Sequence, residues 1–146
     1  MLEEIRSVRI KKLETLRAKG INPYPAKISF KITPTKKIKS EFKKLEKSEK
    51  PIGIAGRIIA KREHGGSLFC DLFDGREKFQ IYLKEDILGD AYSSFRESAD
   101  VGDFFDVNGW RLEVASQPRF AGDRDGDLVP LHAVAREELF QRFFDE

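Results

Sequence analysis

The apolar residues between Pro51 and Leu83 recur with a period of two. Ile52, Ile54 and Ile58 share one parity, interrupted by Gly56, and Arg57 lies on the other. Leu68, Cys70 and Leu72 alternate with Phe69, Asp71 and Phe73, and Phe79, Ile81 and Leu83 alternate with Lys78, Gln80 and Tyr82. Side chains of a strand point alternately to opposite faces, so the pattern predicts three short strands, 52–60, 67–73 and 78–83, with one buried face and one wet face. Gly65-Gly66 and Asp74-Gly75 separate them. Glycine accepts a positive φ without steric cost and aspartate folds back on its own backbone, so both pairs read as tight turns.

The wet face collects Arg57, Phe69, Asp71, Gln80 and Tyr82, with Arg62 at the start of the first turn. A phenyl ring among a guanidinium, an amide and a phenol can stack a nucleic-acid base and read its edge, while arginine neutralises phosphate. On the residues alone, a packing role is at least as good an account: Phe69 lies beneath a loop and Arg57 pairs with Asp71.

Elsewhere the period lengthens. Leu2, Ile5, Val8, Leu13 and Leu16 form an apolar stripe over 3–19, with Arg6, Arg9, Lys11, Lys12, Arg17 and Lys19 around it. This predicts a basic amphipathic helix, with Glu3 and Glu4 at the positive end of its dipole and Gly20 just past its C-terminus. Asn22-Pro23-Tyr24-Pro25 then blocks helix. Ile38, Phe42 and Leu45 predict a second, lysine-rich helix over 36–47, and Ile87, Leu88, Ala91, Tyr92 and Phe95 a third over 85–99. Val101-Gly102-Asp103 opens a fourth strand, 104–109.

The stretch AGRIIAKREHGGSLFCDLFDGREKFQIY resembles the first three strands of the anticodon-binding domain of class II lysyl-tRNA synthetases, with Phe69 and Gln80 eleven positions apart as in that family. LRAKGINPYP, 16–25, resembles the lysine branch more narrowly, since the aspartate and asparagine relatives share the strands without that lead-in. The resemblance runs from about Ile5 to Gly109. It implies a mainly β protein with helices (α+β): a five-stranded Greek-key OB barrel preceded by the amphipathic helix, with the 85–99 helix between strands three and four. It also implies roles. Phe69 would stack on an anticodon base, Gln80 would bond a base edge, and Arg57 and Arg62 would meet base or backbone; Tyr82, outward by parity, is expected on the same RNA-binding face. The implied partner is tRNA, through its lysine-anticodon stem-loop.

Charge sharpens this picture. The net +2 divides into +9 over residues 1–50, with 15 Lys/Arg against 6 Asp/Glu, and −7 over residues 51–146, with 12 against 19. Such segregation points the N-terminal part toward a polyanion, or else reflects a solvated lysine-rich face. The expected organisation is a basic helical extension at 1–50, an OB domain at 51–115 and an atypical tail at 116–146.

From Trp110 the resemblance ends, and composition changes with it: all 15 lysines lie at or before Lys84 and all 12 isoleucines at or before Ile87. The tail is expected to be foreign to the domain, with a short apolar helix over 133–144, and closure by a fifth strand is left open. Neither Glu113 nor Asp127 inherits the family's anticodon-reading glutamate.

Catalytic chemistry is not expected. His64 and His132 lack partners at metal-ligand spacing, and Asp123, Asp125 and Asp127 lack the glycine and glutamate of a calcium loop. There is no Gly-rich phosphate loop with Lys-Ser/Thr and no G-x-S-x-G elbow. ATP and Mg would belong to a separate catalytic domain, so no cofactor is expected in this chain and it should not aminoacylate tRNA by itself. A single cysteine, Cys70, excludes an internal disulfide. No apolar run is long enough to span a membrane, and the first residues lack a signal-peptide core, so a cytoplasmic location is expected. A homodimer through the N-terminal helix or the apolar tail is a candidate association. The rival function is a sequence-tolerant single-strand-binding or protein-interaction OB module.

Overall fold

The computed structural model describes residues 1–24, 26, 28, 30–48, 50–114 and 131–142, of which 46, 109–114 and 131–142 are described in backbone only. Its organising element is β1, Ile52–His64, a 13-residue strand shared between two neighbours. Its first half pairs antiparallel with β4, Phe104–Val114, from Ile52↔Gly109 to Arg57↔Phe104. Its second half pairs antiparallel with β2, Ser67–Phe73, from Arg57↔Phe73 to His64↔Ser67. The hand-over brings β1 close to β2: a Cβ on Gly56 would stand 2.8 Å from the Phe73 carbonyl oxygen.

A register shift between Ile58 and Ala60 marks a β-bulge just past that crossing. An extra residue in one strand reverses the parity that follows it and bends the strand. The inner set therefore changes from even residues before the bulge (Ile52, Ile54, Ile58) to odd ones after it, where Lys61 opposes buried Cys70.

β2 pairs antiparallel with β3, Lys78–Lys84, in unbroken register from Ser67↔Lys84 to Phe73↔Lys78. Both expected turns are present, with Gly65 at φ +57° and Gly75 at φ +94°. In the second, Asp74 Oδ1 accepts the N–H groups of Arg76 (2.9 Å) and Glu77 (2.8 Å).

β5, Leu131–Arg142, runs antiparallel to β4 and parallel to β3 at Ile81↔Ala133 and Tyr82↔Val134. The barrel thereby closes in the order β1-β2-β3-β5-β4, that of an OB fold. This corrects the expected tail helix over 133–144. Unpaired edges on β3 and β4 offer rows of backbone donors and acceptors that a local periodicity argument does not include. Residues 115–130 and 143–146, with Asp123, Asp125 and Asp127, lie outside the described residues.

The barrel interior is apolar, built from Ile54, Ile58, Leu68, Leu72, Ile81, Leu83, Phe105 and Val107, all at most 1% exposed. Each such side chain contributes about 1.5–3 kcal/mol by leaving water. The expected 85–99 helix is split by Gly89 (φ +52°) into α4, Glu85–Leu88, and α5, Asp90–Ser98. α5 packs Tyr92 and Phe95 into the core, with the Phe95 ring 4.5 Å from that of Phe105. Lys61 fastens the end of α5 by donating to the carbonyls of Arg96 (2.7 Å) and Ala99 (2.8 Å), two acceptors that the helix itself leaves unmet. Burial pulls the Lys61 ammonium below its ordinary pKa.

The expected 36–47 helix is likewise two, α2, Thr35–Ser40, and α3, Phe42–Ser48. Asp74 Oδ2 accepts the Thr35 N–H at 2.9 Å, so the β2–β3 turn caps α2. Ile38 reaches the core from α2.

α1, Leu2–Ala18, ends as expected at Gly20, φ +74°. Gly20 donates to the Arg17 carbonyl and Ile21 to that of Leu16, both at 3.0 Å, the paired bonds of a Schellman cap. Of its apolar stripe Leu16 is buried, while Leu2, Ile5 and Val8 are exposed. Ion pairs hold it to α5 and the segment between α5 and β4 instead: Arg9–Asp103 (3.2 Å), Lys12–Asp100 (2.6 Å) and Lys19–Glu97 (3.6 Å). Part of the charge asymmetry is thus spent within the chain, basic α1 against the acidic residues at the end of α5 and just after it.

Candidate nucleic-acid interface

The outer face of β1, β2 and β3 forms a regular grid. Ladder partners across the three strands give the rows Arg57–Phe73–Lys78, Ala60–Asp71–Gln80, Arg62–Phe69–Tyr82 and His64–Ser67–Lys84. Arginines 57 and 62 are five residues apart and would face opposite ways on a regular strand. The bulge places both in this grid. Arg62 lies within β1, two residues before its end, and not at the start of the turn as the sequence led us to expect.

All five candidate residues therefore share one surface. Phe69 and Gln80 are diagonal neighbours on it, each half-buried, and neither enters the barrel. The Phe69 ring stacks on Tyr82 with centroids 4.7 Å apart and an interplanar angle of 30°. The Tyr82 hydroxyl is 2.9 Å from that of Ser67, and the Lys84 ammonium lies 5.8 Å from the Tyr82 ring centroid. Arg57 is exposed, with its guanidinium carbon 4.5 Å from the centroid of the Phe104 ring. The arginine–Asp71 pairing that the packing alternative gave to Arg57 is made by the other arginine: Arg62 Nη2 donates to Asp71 Oδ2 at 2.8 Å. Asp71 Oδ1 accepts from Gln80 Nε2 at 2.7 Å. A depression lined by Gly66, Ser67, Tyr82, Lys84, Glu85 and Asp86 continues the surface beyond Tyr82.

Chemically, the surface combines stacked rings, an amide, and cations on both flanking strands, the combination by which a sheet holds unpaired bases and their phosphates. Among the described residues no group of three or more His, Cys, Asp or Glu is arranged to hold a metal ion. Cys70 faces the core, and burial pushes its thiol up to about 12.

No family model matches the chain. It is 38% identical over 114 residues to the lysine–tRNA ligase of Thermosipho africanus, an alignment covering 75% of this chain and 22% of that protein. Against the lysine–tRNA ligases of Carboxydothermus hydrogenoformans and Sulfolobus acidocaldarius the identities are 44% over 110 residues and 42% over 108. This chain is related to the lysine–tRNA ligases. It spans about a fifth of the length of those relatives, with 74% and 69% of its own residues aligned in the latter two.

The structure of this lysine–tRNA ligase relative adds Phe73 and Lys84 to the face and gives Asp71, already placed there by parity, a bonding role that sequence reasoning did not assign. Phe73 is an exposed ring in the same grid, between Arg57 and Lys78. Lys84 lies one row past Tyr82, and Asp71 is the carboxylate to which Arg62 and Gln80 both bond. Parity alone puts Asp71, Phe73 and Lys78 on the wet face. Asp71 as a shared acceptor needed the inter-strand register.

Proposed function

We propose that this chain is an anticodon-binding module of the lysine–tRNA ligase type, equivalent to the N-terminal domain of such an enzyme. Unpaired anticodon bases stack on the Phe69–Tyr82 pair, Gln80 bonds a base edge, and Arg57 and Arg62 attract base or phosphate. The observation that carries this reading is the Arg62–Phe69–Tyr82 row with Gln80 diagonal to Phe69, within a stretch aligned to lysine–tRNA ligases. The partner is tRNA and the place of action the cytoplasm. Among the described residues no helix is long and apolar enough to cross a membrane. Aminoacylation, with its ATP and Mg, belongs to a catalytic domain outside this chain. The exposed Leu2, Ile5 and Val8 on α1 support association with a second subunit.

The test is a titration with an anticodon stem-loop carrying UUU against loops with exchanged anticodons, at fixed and stated salt, since phosphate contacts make affinity salt-dependent. Preference for UUU supports the reading. Equal affinity for all loops replaces it with a sequence-tolerant single-strand binder, which the base-indifferent stacking of Phe69 and Tyr82 would also serve.

A further inference from the structure

We infer that Asp71 is a positioning residue that fixes which way round Gln80 presents its amide to a bound base. The inference rests on the anticodon-binding reading and deepens it. Asp71 sits in the middle column of the grid, directly opposite Gln80 on β3. Its two carboxylate oxygens are divided between two neighbours, Oδ1 accepting from Gln80 Nε2 at 2.7 Å and Oδ2 from Arg62 Nη2 at 2.8 Å.

A glutamine amide is nearly symmetric in shape but opposite in polarity at its two ends, so a free one offers a base either a donor or an acceptor by rotating half a turn. Such an amide discriminates poorly. An ionised carboxylate can only accept, so the amide atom it holds is the nitrogen, and the flipped state would set Oε1 against Asp71 Oδ1. The bond is charge-assisted and part-buried, which widens the gap between the two orientations. Asp71 thus determines that Oε1 and a single remaining N–H of Gln80 are what a base meets. By holding Arg62 through its other oxygen, it keeps that guanidinium in a set relation to the same amide. The residue touches no base itself and acts through Gln80.

Two measurements test this. In the RNA-free protein, the Gln80 side-chain amide should give one ¹⁵N-attached proton that is shifted downfield and slow to exchange, and Asp71→Asn, whose neutral amide can meet either end of Gln80, should weaken both. Resonances with solvent-like exchange in the parent, or resonances unchanged by Asp71→Asn, overturn the inference without recourse to RNA. In titrations at fixed salt, the parent's preference for the UUU stem-loop over a loop with one anticodon uridine exchanged for cytidine should fall roughly tenfold in Asp71→Asn, one good edge contact being worth about that much discrimination. In a Gln80→Ala background, Asp71→Asn should change the preference no further, which separates action through Gln80 from a general structural effect. Undiminished preference in Asp71→Asn overturns the role of Asp71 while leaving the anticodon reading intact. Tighter binding with undiminished preference makes Asp71 a competitor of RNA for Arg62 and Gln80, and also overturns it. A parent protein with no preference overturns the anticodon reading and this role with it.

Discussion

Removing the ring of Phe69 separates two contributions that the structure superimposes. The ring is half-buried and stacked on Tyr82 at 4.7 Å, so it serves the fold as well as the surface. An aromatic pair of this geometry is worth about 0.5–1.5 kcal/mol beyond area burial. Phe69→Ala should therefore cost about 1–2 kcal/mol of stability, well under the roughly 3–5 kcal/mol of a fully buried phenylalanine. Base stacking on an aromatic adds about 1–3 kcal/mol per base, a loss of roughly 5- to 150-fold in affinity. Phe69→Leu keeps much of the apolar contact with the sheet but has no π-face, so it should recover most of the stability and little of the binding. Thermal melts and stem-loop titrations on the three proteins decide the matter. Parent-like affinity in Phe69→Ala, or full recovery of affinity in Phe69→Leu, refutes a stacking role.

Three further outcomes follow from the fold. Lys61→Met removes both donors to the end of α5 and should destabilise by about 1–3 kcal/mol in urea melts, the range for a hydrogen bond with a charged partner less its desolvation; an unchanged midpoint would show that α5 needs no such cap. Gly56→Ala sets a Cβ 2.8 Å from the Phe73 carbonyl oxygen, a backbone atom that can move only with β2, and should cost about 1–3 kcal/mol, read as a lowered Tm. At Asp74, burial alone would raise the carboxyl, but the N–H groups of Glu77, Thr35 and Arg76 outweigh it and hold the pKa below the ordinary value. A depressed folded pKa stabilises above the unfolded value near 3.9 and is lost as pH falls through the folded one. Asp74→Ala should thus be about 1–2 kcal/mol less stable than the parent at pH 7, with the gap narrowing below about pH 4; a gap constant with pH would refute the assignment.

What could be read from the sequence was what neighbouring residues decide among themselves. The β2 span and both turns fall where alternation and glycine placed them, and the α1 cap forms at Gly20 because a positive φ is needed there. The expected 85–99 helix failed at one residue: the apolar spacing from Ile87 to Phe95 is helical, yet Gly89 at φ +52°, ψ −123° interrupts it. The stripe on α1 promised a buried face, and three of its five residues stayed in water because ion pairs to Asp100, Asp103 and Glu97 seat the helix. The role of β5 could not be read locally at all. Its apolar residues suit a helix, and it is a strand because β3 and β4 present unmatched edges on either side of it.

The bulge after Ile58 links closure of the barrel to the candidate site. β1 must leave β4 and join β2 within one strand, and a regular ladder does not turn that sharply without an extra residue. The extra residue reverses parity, and Arg62 comes to lie beside Phe69, on the face that already holds Arg57. A regular strand continued past Ala60 without the bulge would put Lys61 there and send Arg62 inward, where a guanidinium has no solvent. The actual arrangement turns Lys61 inward instead, and its longer, slimmer stem reaches the two carbonyls that end α5. One inserted position thus serves three ends: it bends the barrel, fastens the helix that plugs it, and brings a second arginine to the rings and the amide.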